Sequence, residues 1–216
     1  MNVTDIFSQK IYEVSFPNYD EIKDSLINYV SNSLPNKFIN EYDGHEHPIR
    51  NGALTVVYDR FADMNATIDH PILKQIHDFI NEHGRKYWEI LNFSKLLNPY
   101  ILQLWINAVP KGGFVASHNH NPTPISGVFY INAEPRMGNL FLENPLEILL
   151  GRTPMNSEGG KPFRNFDYEV QSTSGKLVLF PGWMKHYTKI NSTDECRMSM
   201  AVNFGCYGEV YFTEFI

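Results

Sequence analysis

Between Tyr19 and Val30 the apolar residues Ile22, Leu26, Ile27 and Val30 return at intervals of three and four. That spacing gathers them on one side of a helix, and Asp20 is placed to cap its start. Pro71 to Leu91 repeats the pattern with Ile72, Ile76, Phe79, Ile80, His83, Tyr87 and Ile90, and Pro71 suits the first turn. Strand-like stretches accompany these helices at Lys10 to Phe16, closed by Pro17, and at Leu54 to Tyr58. After Pro99 the chain turns into short β-like runs separated by Gly, Pro and Asn. They are Tyr100 to Val109, Phe114 to His120, Ser126 to Asn132, Gly138 to Glu143, Lys176 to Phe180, His186 to Ile190 and Arg197 to Phe204. Helices followed by a series of short strands predict a mainly β protein whose N-terminal helices pack on one face of an antiparallel sheet or sandwich.

Side chains alternate across a strand, so each run can be read as two faces. In the last run Arg197, Ser199, Ala201 and Asn203 oppose Met198, Met200, Val202 and Phe204. Gln103, Trp105 and Asn107 likewise oppose Leu102, Leu104, Ile106 and Ala108, and Ser126, Tyr130 and Asn132 oppose Gly127, Phe129 and Ile131. A solvated face usually collects Lys and Glu, whereas these polar faces carry Arg, Ser, Asn, Gln, Tyr and Trp. That composition predicts the lining of a polar pocket.

The 216 residues contain no Gly/Ser-rich or charge-rich divider, so one domain spanning 1–216 is expected, with helical support over 1–99 and a β core over 100–216. A net charge of -6 argues against a broad nucleic-acid or anionic-membrane footprint, although a local basic patch stays open. No segment has the apolar length of a membrane span or signal core, and the expected location is the cytoplasm. Cys196 and Cys206 have no metal-ligand spacing and read as reduced packing residues. Residues 144–168, rich in Gly and Pro, form a long irregular connection that reads as a lid, a binding loop or plain surface. His45 and His47 fall in a polar loop, and His77 and His83 in a helix, where surface or packing roles are expected.

His118 and His120 stand two apart at the end of a strand-like run, so both imidazoles reach one side and can share an ion. His186, delivered by the strand and turn that begin at Gly175, is the best third ligand. Imidazoles suit iron, zinc, copper or nickel, and a site with open positions suits oxygen chemistry at iron(II).

The second half resembles the 2-oxoglutarate and iron(II)-dependent oxygenase superfamily, in particular a group found in marine phages and bacteria. The motifs that carry the resemblance are Trp105-Ile-Asn107, His118-Asn-His120, Ser126 to Tyr130, Gly138 to Asn144-Pro145, Phe180-Pro181 to His186, and Arg197-Met-Ser199. They cover roughly residues 100 to 205, and Lys10 to Val30 is also similar. The resemblance implies a double-stranded β-helix, or jelly roll, with iron(II) as cofactor and 2-oxoglutarate and O2 as co-substrates. It also implies hydroxylation of a prime substrate as 2-oxoglutarate becomes succinate and CO2. His120 stands where the superfamily usually has a carboxylate, which implies either a three-histidine site or weak binding by His120. Arg197 matches the superfamily arginine that grips the distal carboxylate of 2-oxoglutarate, and Ser199 shares its face. A surface ion pair of Arg197 with Asp194 or Glu195 is the ordinary alternative. Asn107 and Tyr130 enter as co-substrate contacts from their face alone.

Two other readings stay open at this point. One is a cupin-type three-histidine dioxygenase that does not use 2-oxoglutarate. It lacks a use for Arg197, and the glutamate expected after the HxH is missing, since Asn121, Pro122, Thr123 and Pro124 follow. The other is a non-catalytic binding or assembly module. No sequence feature identifies the prime substrate.

Overall fold

The structure is a computed structural model that describes residues 8–33, 49–50, 54–58, 71–145 and 167–208. His45 and His47, and residues 146–166 of the expected lid, lie outside the described residues. The elements in chain order are β1 (Tyr12–Ser15), α1 (Asp20–Ser33), β2 (Ile49–Arg50), β3 (Leu54–Tyr58), α2 (Pro71–Ile90), β4 (Leu97–Val109) and β5 (Phe114–Val115). They continue with β6 (Ile125–Asn132), a single 3-10 turn (Pro135–Met137), β7 (Leu140–Leu142), β8 (Tyr168–Val170), β9 (Lys176–Pro181), β10 (His186–Thr188) and β11 (Arg197–Gly208).

A six-stranded antiparallel sheet has the order β1-β9-β6-β11-β4-β3. Strands from the N-terminal half therefore form both of its edges, with Tyr12 opposite Leu179 and Thr55 opposite Asn107. A second sheet of three strands runs β10-β7-β8, and β2 pairs with β5. Strand-to-strand crossovers between two antiparallel sheets give the jelly roll expected from the resemblance.

The faces separate as period-two alternation requires. Phe129, Leu177, Leu179, Met200, Val202 and Phe204 on one side of the large sheet share a buried cluster with Leu26 and Val30 of α1 and Leu73, Ile76, Ile80 and Tyr87 of α2. The other side contributes Tyr130, Val178 and Phe180 to a second cluster with Leu140 and Leu142 of β7 and Val170 of β8. The helices therefore cover one face, and the second sheet covers the other. Gly84 permits the close approach of α2, because a Cβ there would run into the ring of Phe204.

Two local expectations need correction, and a third holds. The run Phe114 to His120 is not one strand: the ladder stops at Val115, and His118 rejoins only as an isolated bridge to His186. The Ala116 carbonyl accepts the His118 Nδ1–H at 2.8 Å, so the side chain holds the backbone group that a continuing ladder would use. Cys196 is half-buried but Cys206 is exposed, so only the first is a packing residue. His83 packs as expected, with its Nδ1 2.7 Å from the Tyr12 hydroxyl and its ring against Phe79.

Candidate active site

The three histidines converge from two directions. His118 and His186 exchange backbone hydrogen bonds in both senses, at 3.1 and 2.9 Å, so their side chains start from facing positions. Further along, the His120 amide donates to Gly182 O at 2.9 Å, in the turn that leads to His186. The His120 carbonyl accepts from the amide and the hydroxyl of Thr123 at 2.8 and 2.6 Å. The ring centroids lie 4.2 Å (His118–His186), 4.9 Å (His118–His120) and 5.1 Å (His120–His186) apart. One ligand atom from each ring falls within 4.8 Å of the other two.

Two of the rings have assigned tautomers. His118 Nδ1 lies 2.8 Å from Ala116 O and His186 Nδ1 lies 3.0 Å from Met184 O, so each Nδ1 carries the hydrogen and each Nε2 keeps its lone pair. No corresponding brace reaches the His120 ring among the described residues; the edge of Trp105 lies beside it, with centroids 5.6 Å apart. All three rings are held neutral. Burial lowers the pKa of His118 against the opposing pull of its carbonyl bond, and burial with His118 nearby pushes His120 down to about 3. His186 is held well below the ordinary imidazole range by burial and by both neighbours. Neutral imidazoles with outward lone pairs are the protonation state that a transition metal takes. The donor set fits an ion such as iron(II), and it includes no carboxylate among the described residues.

The polar face of the large sheet runs beside this cluster and has two halves. In one, the Ser126 hydroxyl donates to Asn203 Oδ1 at 2.6 Å, and Asn203 Nδ2 donates to Gln103 Oε1 at 2.9 Å. These groups spend their hydrogen bonds on one another. In the other half, Asn107, Ser199 and Tyr130 stand in register across β4, β11 and β6. Burial raises the Tyr130 pKa, while a hydrogen bond to Ser172 and the charge of Arg197 pull it the other way.

Arg197 begins β11 and is 2% exposed, so the surface ion pair is excluded; Asp194 instead meets Lys111 at 2.7 Å. Its Nη1 donates to Gly138 O at 2.6 Å and Met137 O at 3.3 Å, and its Nη2 donates to Thr188 Oγ1 at 3.1 Å. Nε–H is buried with no partner. Gly138 makes room for this packing: its φ is +96°, and a Cβ there would strike the Lys189 carbonyl and crowd Nη1. Among the described residues no carboxylate pairs with the guanidinium, which leaves a buried cation with an unspent donor.

Of the residues predicted for the site, His118, His120 and His186 form one cluster, and Asn107, Ser199 and Tyr130 form one row, with Arg197 two residues before Ser199 on β11. Thr188, missed in the sequence, joins the two groups, since it follows His186 by two on β10 and holds Arg197. The available signal was its place on the His186 face of the strand. Gly138 was noted only as the start of a run.

Residues 103–203 match the family model described as "Putative 2OG-Fe(II) oxygenase". No curated protein matches the chain by sequence. Among solved structures, a prolyl-4-hydroxylase from Pseudomonas putida superposes with a TM-score of 0.61 at 14% identity, covering 93% of this chain and 95% of its own. HygX from Streptomyces hygroscopicus, solved with nickel and 2-oxoglutarate bound, gives 0.55 at 13% identity, covering 96% and 86%. An oxidoreductase of the 2OG-Fe(II) oxygenase family from Burkholderia pseudomallei gives 0.54 at 13% identity, covering 89% and 85%. At such identities these structures speak to the fold, while the family match spans the segment that holds all three histidines and Arg197. The segment that carries His118, His120, His186 and Arg197 is thus similar in sequence to the 2OG-Fe(II) oxygenases, and the fold of the chain is similar to that of solved members of that group.

Proposed function

We propose that His118, His120 and His186 hold iron(II), and that Arg197 and Ser199 bind the distal carboxylate of 2-oxoglutarate with Asn107 and Tyr130 lining its pocket. When bound, iron(II) with 2-oxoglutarate and O2 supplies an oxidant for hydroxylating a prime substrate, with succinate and CO2 as co-products. The chain's own work is to position and to shield. The Nδ1 bonds of His118 and His186 to backbone carbonyls aim their Nε2 atoms and raise their basicity. The guanidinium, anchored through Nη1, offers its remaining edge to a carboxylate. Phe180, whose ring centroid is 4.8 Å from that of His186, and the apolar cluster around it keep water from that side.

The observation that carries this reading is Arg197. A guanidinium this buried, without a carboxylate and with Nε–H unspent, is costly unless an anion completes it. A three-histidine dioxygenase that does not use 2-oxoglutarate gives that arginine no partner. The same reading places the enzyme in the cytoplasm, that of the host if the chain is phage-encoded, as one domain with the prime substrate unassigned.

Iron-loaded protein supplied with 2-oxoglutarate should consume O2 and form succinate in equal amounts, slowly without a prime substrate and faster with one. Iron-dependent O2 uptake that is indifferent to 2-oxoglutarate would favour the cupin-type chemistry. No uptake under any substrate mixture would favour a binding module.

A further inference from the structure

We infer that the Gln103 end of the polar sheet face is the subsite for the prime substrate, and that it takes an uncharged carbonyl group, such as an amide, through the Gln103 amino group and the indole N–H of Trp105; this rests on the proposed oxygenase reading. Three rows of side chains cross that face of β4, β11 and β6. Asn107, Ser199 and Tyr130 make the first, Trp105, Ala201 and Val128 the second, and Gln103, Asn203 and Ser126 the third. The outer rows are separated by roughly 13 Å at the rise of a strand. Between them Trp105 stands beside His120, with ring centroids 5.6 Å apart, and the small side chain of Ala201 leaves the middle of the face low. The third row therefore lies across the Trp105 row from the co-substrate contacts, on the His120 side.

That row is built to present one group. The Thr123 hydroxyl gives its only hydrogen to the His120 carbonyl at 2.6 Å, and its oxygen, 3.4 Å from Ser126 Oγ, is too distant to compete for the Ser126 hydrogen. Ser126 instead donates to Asn203 Oδ1 at 2.6 Å, which turns Asn203 Nδ2 toward Gln103, and Gln103 meets it with Oε1 at 2.9 Å. The Gln103 amino group is thereby aimed away from the chain of bonds and has no acceptor among the described residues. Trp105 follows by two residues on the same face, and its indole N–H has no acceptor there either. Ser126 and Asn203 are 1% and 3% exposed, whereas Gln103 and Trp105 are only partly buried, so two buried polar side chains fix the aim of a group that a ligand can reach. Neither row holds a charged side chain, so a carboxylate or phosphate would lose its hydration there without gaining a counter-charge. A carbonyl oxygen has two lone pairs for the two donors, and the indole offers a flat apolar surface to the group that carries it.

The test uses protein loaded with 2-oxoglutarate and zinc(II), a diamagnetic stand-in for iron(II), and follows the Trp105 indole signal by nitrogen–proton correlation NMR, assigned with Trp105→Phe. Acetanilide and the capped peptide N-acetyl-Gly-Phe-amide supply an amide carbonyl from a small molecule and from a peptide. N-ethylaniline, in which a methylene replaces the carbonyl, and benzoate are the controls. At least one amide should shift the Trp105 signal at millimolar concentration and bind roughly fivefold or more tightly than either control, and the tighter amide identifies the source. Gln103→Glu keeps an acceptor for Asn203 but removes the amino donors. It should weaken the amide roughly tenfold and bind benzylamine, a cation, more tightly than the wild type does, a gain that a misfolded protein would not show. No shift with either amide, controls that bind as well as the amides, or a Gln103→Glu protein with wild-type preferences would each overturn the inference. Calorimetry of 2-oxoglutarate binding to the wild type reads the underlying proposal separately, and that proposal fails if the oxoacid does not bind, whatever the amides do.

Discussion

His118 and His186 are tied by a reciprocal pair of backbone hydrogen bonds, and each ring is braced by the carbonyl two residues before it. His120 has a secured backbone, through Gly182 and Thr123, but no ring brace among the described residues. The site is therefore asymmetric: two imidazoles are preset and the third must orient on binding.

That asymmetry orders the effects of substitution on metal affinity. His118→Ala or His186→Ala should lower iron(II) affinity by more than about 100-fold, beyond what loss of an outer partner costs. His120→Ala should have a smaller effect, and His120→Asp should bind at least as tightly as wild type by restoring two imidazoles and a carboxylate. Competition with a chromophoric chelator measures all four proteins. Equal losses for the three alanine variants would contradict the asymmetry.

Gly138→Ala probes the arginine's seat. The added Cβ meets the Lys189 carbonyl at a positive φ and presses on Nη1 of Arg197. The variant should lose about 2–3 kcal/mol in urea unfolding and bind 2-oxoglutarate more weakly than it binds 2-oxobutyrate relative to wild type. A stable variant with unchanged affinities would show that the seat tolerates a side chain.

Acid should destabilise the metal-free protein from the histidine side first. The folded pKa values of His118, His120 and His186 all lie below the ordinary imidazole value of about 6.5, so the unfolded chain takes up protons first as pH falls. Their contribution is complete above that value and is lost as pH drops toward about 3, where His120 titrates. Thermal unfolding between pH 7 and 5, where most carboxylates stay ionised, should show a falling Tm that His120→Gln flattens. A Tm independent of pH in that window, or identical slopes in both proteins, would contradict the assignment.

The sequence was most legible where a period imposes a face. The alternation from Arg197 to Phe204 separated the side that packs on the helices from the side that holds the site, because β11 is a central strand with both faces covered. The pair at His118 and His120 was legible from spacing, although the ladder that was expected to deliver it ends at Val115. β8 was missed: three residues, Tyr168–Val170, stand after the long Gly- and Pro-rich stretch and gain strand geometry only by pairing with β7. Thr188 was missed for a related reason. A threonine in a strand is ordinary, and its role is set by Val115 and Arg197, which are remote in sequence. The division of the polar face into spent and unspent donors likewise depends on partners, which alternation does not specify.

Helix packing gives a further check that is independent of chemistry. Alanine has the better helix propensity by about 1 kcal/mol, yet Gly84→Ala drives a methyl into the Phe204 ring. Overpacking should win, with a net loss of about 1–2 kcal/mol in chemical denaturation, and the added replacement Phe204→Leu should recover part of it. A stabilised Gly84→Ala protein would mean that α2 lies farther from the sheet than described.

The most direct measurement is anaerobic titration of iron(II) into the metal-free protein with and without 2-oxoglutarate, following the weak visible charge-transfer band of the chelated oxoacid. The wild type should develop the band, and Arg197→Ala should require much more 2-oxoglutarate to reach it. Tight iron binding at the three histidines with no band at any 2-oxoglutarate concentration would contradict the account.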